Sequence, residues 1–366
     1  DGSRIMNAAD RLLRLQRQIA ANGTELLALA PGAHMNWLLG FTPHPDERLC
    51  LLLISEERAG FVMPALNATD ARQHTGLPFA EWADAEGPDA ALAGMLAQVC
   101  PTPRSLSIDD TMRADHVLML LDALPGAARG LATREVGALR LIKQADELAA
   151  LAENARIADL AQSAVRAALR PGVSETDLAQ VACDAFAAHG AQCEFAIIAF
   201  GPNSAFPHHH SGARVLSPGE AVLVDIGGRK DGYFSDITRM ACLGSAPDGY
   251  DAVHAVVEAA VQAAFAAIRP GVRAQTVDDA ARKVITDAGF GPFFTHRLGH
   301  GLGSEIHEMP YITSANSQVL EEGMVFTVEP GIYLPGRFGI RLEEVAVVTS
   351  DGARKLSGLS RGLHVG

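Results

Sequence analysis

The sequence predicts an α/β domain followed by an α+β domain built on an internal pseudo-twofold repeat. Three observations carry this. A chain of 366 residues exceeds the ~250–300 at which a single core stops growing, so two domains are expected. Short apolar runs alternate with helix-like stretches in the first part, as in an α/β layer. The second part repeats itself: Ala167-Ala168-Leu169-Arg170-Pro171-Gly172-Val173 returns as Ala266-Ala267-Ile268-Arg269-Pro270-Gly271-Val272, an offset of 99.

Taken in order, residues 9–21 have the spacing of an amphipathic helix, with Leu12, Leu13, Leu15 and Ile19 to one side. Residues 24–30 read as a buried strand stopped at Pro31-Gly32. Residues 49–54 and 60–63 read as strands around the charged turn Glu56-Glu57-Arg58, and residues 105–108 as another. No glycine-rich phosphate loop follows these strands, so the domain reads as a scaffold or substrate gate rather than a cofactor site. Residues 134–170 hold almost no helix breakers and predict one long helix. The Pro125-Gly126 turn and the stretch up to Thr133 place the division near residue 130, giving domains 1–130 and 131–366. Beyond it, each copy of the repeat reads helix, Arg-Pro-Gly-Val stop, helix, glycine, with Gly190 and Gly289 in register. Proline lacks the amide donor and glycine permits the cap, so the helices end there for backbone reasons. A β-rich pair follows each copy: residues 221–226 with 233–243, then 324–328 with 339–349. Two helix–helix–hairpin copies predict facing sheets with a cleft between them.

Composition narrows the function. Hydrophobic residues at 48% and charged residues at 20% exclude a mainly disordered chain. Lys+Arg 30 against Asp+Glu 43 leaves −13, a poor match for nucleic acid or an anionic membrane. No apolar run approaches the ~18 residues of a membrane span; the longest, residues 255–268, is interrupted by Glu258 and Gln262. No secretory pattern opens the chain, and a cytoplasmic location is expected. It starts at Asp1, so residues 1–5 read either as a cloning remnant or as the start left by a removed leader. Cys50, Cys100, Cys183, Cys193 and Cys242 are odd in number and contain no CxxC pair. They predict reduced thiols, not a disulfide framework or a Cys-built zinc site.

The hairpins carry acids in apolar surroundings. Asp225 closes Val222-Leu223-Val224, and Asp236 follows 11 residues later. Glu329 closes Val325-Phe326-Thr327-Val328, and Glu343 follows 14 residues later. Buried charges are costly unless paired or metal-bound, so four acids disposed two per half predict convergence on cations. His296, His300 and His307 lie among Gly299, Gly301 and Gly303, which suits a loop approaching a ligand closely and not a helical His pair. In Pro207-His208-His209-His210, His209 and His210 read as a solvated loop. Carboxylates with an imidazole suit hard or borderline divalent ions, which hydrolyse amides without a Ser or Cys nucleophile. No G-x-S-x-G motif is present.

Together VDIGG, SDITR, GHGLG with IHE after it, VEPGIY and GIRLEE resemble the pita-bread metallopeptidases: Xaa-Pro dipeptidase (prolidase), aminopeptidase P and methionine aminopeptidase. The resemblance is strong over residues 134–350 and weak before. It implies a creatinase-like N-terminal domain ahead of a pita-bread catalytic domain. It implies that Asp225, Asp236, His300, Glu329 and Glu343 hold two divalent ions per chain. Manganese is the expected metal, with cobalt or zinc as substitutes. Asp236 and Glu343 would bridge, and Glu329 would also pass a proton to the leaving nitrogen. His208 and His307 match histidines that hold the substrate and stabilise the oxyanion. His296, Tyr333 and Arg341 fall at pocket-lining or orienting positions of the proline-specific branch.

The N-terminal domain, absent from minimal methionine aminopeptidases, shifts the expectation to small Xaa-Pro peptides. The chain's length favours the dipeptidase over aminopeptidase P. Creatinase, a metal-free amidinohydrolase on this fold, lacks the full ligand set, and a non-catalytic binding relative has no reason to keep four such acids together. The family is commonly dimeric. Residues 37–48, with His44, Asp46, Glu47 and Arg48, are the candidate contact with a partner copy, and Trp37 stands where the family often has Tyr.

Overall fold

Apolar runs flanked by turn residues become a six-stranded sheet in the computed structural model, which describes residues 8–366. The chain divides into two units, Asp1–Arg140 and Leu141–Gly366. Residues 1–5, read above as a remnant or a trimmed start, lie outside the described residues. In chain order the first unit contains α1 (Ala8–Asn22), β1 (Leu26–Leu29), α2 (Ala33–Leu39), β2 (Leu51–Ile54), β3 (Ala59–Pro64) and α3 (Ala65–Ala71). They are followed by β4 (Phe79–Trp82), α4 (Asp89–Val99), β5 (Ser105–Ile108), α5 (Ala114–Ala123), β6 (Ala128–Leu131) and α6 (Val136–Leu141), whose last residue lies across the division. The sheet order is β4-β3-β2-β1-β5-β6. β1 is buried on both faces: Leu27 and Leu29 meet one apolar cluster with α1 and α2, and Leu26 and Ala28 meet another with α4 and α5.

The division falls ten residues beyond the predicted 130, because the segment after β6 is spent on the first unit. Ala132 and Val136 are fully buried in its core. Glu135 accepts a hydrogen bond from Thr24 Oγ1 at 2.7 Å, and Arg140 Nη1 donates to His34 Nδ1 at 2.8 Å. The candidate contact segment is also corrected in part. Trp37 is interior, with the Arg11 guanidinium 5.1 Å from its ring centroid. Arg48 is held by Asp84 at 2.8 and 2.9 Å. His44 and Glu47 stay exposed.

The predicted long helix is broken at residues 142–144. Ile142 bridges Met324, the Lys143 amide donates to Gly323 O at 2.9 Å, and Gln144 caps the next helix in a box with Glu147. That helix is α7 (Ala145–Ala167), followed by α8 (Glu175–Ala188), β7 (Gln192–Phe200), β8 (Ala221–Lys230), β9 (Tyr233–Phe234) and β10 (Ile237–Cys242). The second copy gives α9 (Tyr250–Ala267), α10 (Ala274–Asp287), β11 (Gly299–Gly301), β12 (Glu308–Ile312) and β13 (Val325–Val328). It continues with β14 (Gly331–Leu334), β15 (Phe338–Arg341), β16 (Glu344–Val348), β17 (Ala353–Lys355) and β18 (His364–Val365). Both Arg-Pro-Gly-Val stops lie between helices, with Gly172 and Gly271 at φ 78° and 86°. Each half pairs its acid-bearing strands antiparallel, β8 with β10 and β13 with β16. The second hairpin differs from expectation because β14 and β15 form a separate two-stranded ribbon inside it.

The thiol expectation is overturned for one pair. Cys183 on α8 and Cys193 on β7 are joined by a disulfide across the intervening turn at Gly190, while Cys50, Cys100 and Cys242 are free. Among the described residues no helix is long and apolar enough to cross a membrane.

Glycine sets how closely β11 and β13 approach. A Cβ on Gly299 would lie 1.9 Å from Thr327 O. Gly299→Ala forces these backbones apart, and overpacking of this kind costs about 1–3 kcal/mol. A lower thermal midpoint is expected by calorimetry; an unchanged midpoint would show that the strands give way freely.

Candidate metal centre

The polar side chains at the centre of the second unit come from its strands and from the residues beside their ends. Asp225 lies within β8 opposite Thr238 of β10, and Asp236 immediately precedes β10. Glu329 follows β13, Glu343 precedes β16, and His300 is the middle residue of β11. These residues line a cavity of about 520 Å³ with His208, His296, His307 and Arg341. Phe195, Ile197, Pro207 and Ile306 give it an apolar side. Its size is that of a small-molecule site.

Asp236, His300 and Glu343 each present a ligand atom within 4.8 Å of the others. His300 Nε2 lies 3.6 Å from Asp236 Oδ2 and 3.3 Å from Glu329 Oε1. His300 Nδ1 is 3.1 Å from Gly301 O, so it carries the proton and donates. Nε2 therefore faces carboxylate oxygens, an arrangement that a proton on Nε2 or a bound cation reconciles. Asp225 Oδ1 is buried without a hydrogen-bond partner. The residues thus fit divalent cations: hard oxygen donors, one imidazole nitrogen and an orphaned buried oxygen.

Charge crowding is visible in the acidities. Burial, with Glu343 and Asp225 as neighbours, holds the Asp236 carboxyl well above its ordinary range. Burial with Glu329 and Asp225 does the same to Glu343. Burial also raises Asp225, despite the opposing Arg341 guanidinium. Glu329 goes the other way: burial opposes its charge, but the hydrogen bond and field of His300 bring it to about 2. Thr327 Oγ1 donates to its Oε1 at 3.0 Å.

A chain of hydrogen bonds fixes the surroundings. His296 Nδ1 donates to Arg297 O at 2.7 Å, leaving Nε2 to accept from the Tyr333 hydroxyl at 2.8 Å. That hydroxyl accepts from Arg341 Nη1 at 2.8 Å, and Arg341 Nη2 donates to Asp225 Oδ2. Burial lowers the His296 pKa, as this neutral tautomer requires, and pushes Tyr333 up to about 12. Burial works against the Arg341 charge, but Tyr333, Asp225 and Glu329 more than offset it. His208 and His307 are exposed at the cavity. The His307 ring centroid lies 4.1 Å from that of His300, and burial with the nearby His300 brings its pKa to about 4.

The sequence reading missed several supporting groups. His209 is not a free loop residue: its Nε2 lies 2.8 Å from the fully buried Glu175, which also binds the amides of Phe200 and Gly212 and so fixes the loop bearing His208. Thr238 Oγ1 donates to Glu343 Oε2 at 2.7 Å. Arg239, fully buried, donates to Glu343 O and to Glu344 Oε1. Thr238 and Arg239 stand inside the SDITR segment, so a signal was present. Asp278 and Arg282 on α10, which hold the backbone of Leu298 and His296, carried none beyond their spacing of four. A second acidic group, His34, Asp109 and Asp110, also meets the distance test. Arg140 donates to His34 Nδ1, so His34 Nε2 carries a proton and donates to Asp110 at 3.2 Å. That group is a hydrogen-bonded pair, not a ligand set.

Known proteins place this geometry. Residues 149–350 match the metallopeptidase family M24 model, and residues 11–142 match the creatinase/prolidase N-terminal domain. The chain belongs to metallopeptidase family M24 and is a metal-dependent peptidase of pita-bread fold with a creatinase-type N-terminal domain. The probable dipeptidase PepE of Mycobacterium tuberculosis is 38% identical over 96% of each chain. The Xaa-Pro dipeptidase of Lactobacillus delbrueckii subsp. lactis is 33% identical over 96% of this chain and 98% of its own. A prolidase from Thermococcus sibiricus superposes with a TM-score of 0.93 at 32% identity, covering 100% of both chains.

The raised carboxyls set a pH dependence. Asp236 and Glu343 bind protons that the unfolded chain has released, so in chelated protein their contribution is present at low pH and lost as pH climbs through their folded values. The thermal midpoint of chelated protein is expected to fall as pH rises above the ordinary carboxylate range of about 4. Added divalent cation should restore more stability at the upper end. A flat profile would count against charge crowding.

Proposed function

We propose that this chain is an Xaa-Pro dipeptidase that hydrolyses the bond between a free N-terminal residue and proline. The observation that carries the reading is the set of acceptors around His300 Nε2, closed on the apolar side by Phe195, Ile197 and Ile306. Asp225, Asp236, His300, Glu329 and Glu343 would hold the metal, which we take to be two manganese ions, with cobalt or zinc as substitutes. Bound there, such ions supply Lewis-acid polarisation of the scissile carbonyl and lower the pKa of water enough for it to attack an amide.

The protein's own groups do the rest. His307 stays neutral at physiological pH and offers a ring N–H to the carbonyl oxygen as charge develops on it. His208 lies in the same cavity and offers a second donor. Glu329 stays ionised, so it accepts a proton and passes it to the leaving nitrogen. The His296–Tyr333–Arg341 chain orients Asp225. Proline suits such a site: its amide nitrogen carries no hydrogen, so no donor of the scissile bond is left unpaired against an apolar wall.

Dipeptides are favoured over longer peptides by the charge left over at the cavity. Arg341 is spent on Asp225 and Tyr333. Arg297 lies over the Tyr311 ring at 4.4 Å, and among the described residues no carboxylate pairs with it. It is the cation available to the free carboxylate of a dipeptide. We extend the reading to a homodimer and a cytoplasmic location. The exposed His44 and Glu47 are compatible with the first. Three free cysteines favour the second, against which the Cys183–Cys193 disulfide stands.

Turnover of Ala-Pro, Ala-Pro-Ala and Ala-Ala with added Mn, Co or Zn tests the reading. Ala-Pro alone should be cleaved well, Asp236→Ala should lose bound metal and turnover together, and full activity after exhaustive chelation would sink the proposal. Arg297→Met should raise KM for Ala-Pro by roughly 10- to 100-fold, the value of a charge-assisted hydrogen bond. An unchanged KM would assign the carboxylate to another group.

A further inference from the structure

One buried charge pair beside the site has no part in the chemistry above. Lys143 and Glu308 form an ion pair at 2.6 Å, with side chains 1% and 7% exposed. A lysine so deeply buried is rare, and an ion pair there is costly relative to apolar side chains of similar size.

Its position explains what it does. Glu308 is the residue after His307 and the first of β12, where it pairs with Gly301 of β11. The carboxylate folds back over the turn that carries His307. Its Oε2 accepts from the Glu305 amide at 3.3 Å, and Oε1 lies where a Cβ on Gly303 would be only 2.4 Å away. Gly303 in turn donates to Glu305 O and accepts from the Phe234 amide. Lys143 supplies the fixed end. Its amide is tied to Gly323 O at 2.9 Å, and the preceding Ile142 bridges Met324. His307 itself makes no hydrogen bond among the described residues; its ring meets only the ring of His300 edge-on. Its placement therefore comes from the backbone, and the backbone of this turn is held by the Glu308 carboxylate.

We propose that the Lys143–Glu308 pair is a positioning device that sets His307 for the reaction. This rests on His307 acting on the substrate, as proposed above. Lys143 does not line the cavity and acts through Glu308 and the turn at residues 303–307. The pair is thus retained for the placement of one imidazole, not for its net contribution to stability.

A double-mutant cycle tests this. Ala-Pro kinetics are measured on manganese-loaded wild type, Lys143→Gln, His307→Ala and the combined variant. Lys143→Gln should lower kcat roughly 10- to 100-fold, the size expected for misplacing a catalytic group by about 1 Å, with KM little changed. In the His307→Ala background the same substitution should cost nothing further. Should Lys143→Gln fail to fold by near-ultraviolet circular dichroism, Lys143→Met with Glu308→Met removes both charges and takes its place in the cycle. A folded variant within about twofold of wild type, or one that loses the same factor without His307, overturns the inference. Failure of wild type to cleave Ala-Pro, or full turnover in His307→Ala, overturns instead the reading on which it rests.

Discussion

Uncompensated negative charge is the constraint around which the second unit is organised. Asp225, Asp236, Glu329 and Glu343 line one cavity; burial and neighbouring acids raise Asp225, Asp236 and Glu343, while His300 holds Glu329 low. Taking a carboxylate out of water costs several kcal/mol unless a partner offsets it. Protein cations answer for only part of this charge. Arg341 serves Asp225, while Arg239 binds the backbone of Glu343 and the side chain of its neighbour Glu344. His300 turns one ring nitrogen toward these acids, where a proton or a metal ion can sit. The fold therefore stores an electrostatic deficit that a bound cation would relieve, and its binding free energy would then add to folding free energy.

The duplicated architecture delivers that deficit reliably. Each half carries one acid within or just after a strand and another just before the next, so two sheets bring four acids to one place. Close approach is permitted by glycine where backbones nearly touch, as at Gly299 and Gly301. A Cβ on Gly301 would lie 2.2 Å from Met309 O, next to the residues that hold His307. Local glycine choice and global ligand placement are one design at these positions.

Much of this was legible in the sequence, because the relevant signals are local and repeated. The Arg-Pro-Gly-Val stops and the acids closing apolar strands report backbone and burial constraints that any reader of the chain can see. What was not legible depends on partners distant in sequence. The break at residues 142–144 comes from Gly323 and Met324, which no helix propensity contains. The extension of the first unit to Arg140 comes from Thr24 and His34. His209 looked solvated because its partner Glu175 is 34 residues away. Cys183 and Cys193 defied a count of cysteines because the turn at Gly190 sets their Cα atoms 5.0 Å apart. Trp37 looked like an outward contact, and packing against Arg11 made it interior.

The four acids are not equivalent, and their neighbours make the difference. Asp236 and Glu343 face other acids, so each needs a proton or a cation to stay buried. Glu329 faces His300 and Thr327 and keeps its charge with no help from another carboxylate. Groups driven apart in acidity by their surroundings divide into those that hold and those that exchange protons. Under the proposed function Asp236 and Glu343 suit the first role, because losing a cation would return them to an unfavourable state. Glu329, ionised and less deeply buried than Glu343, suits the second under the same proposal. The direction of each shift follows from which neighbour stands across from the carboxylate, and that is fixed by where β11 and β13 place His300 and Thr327.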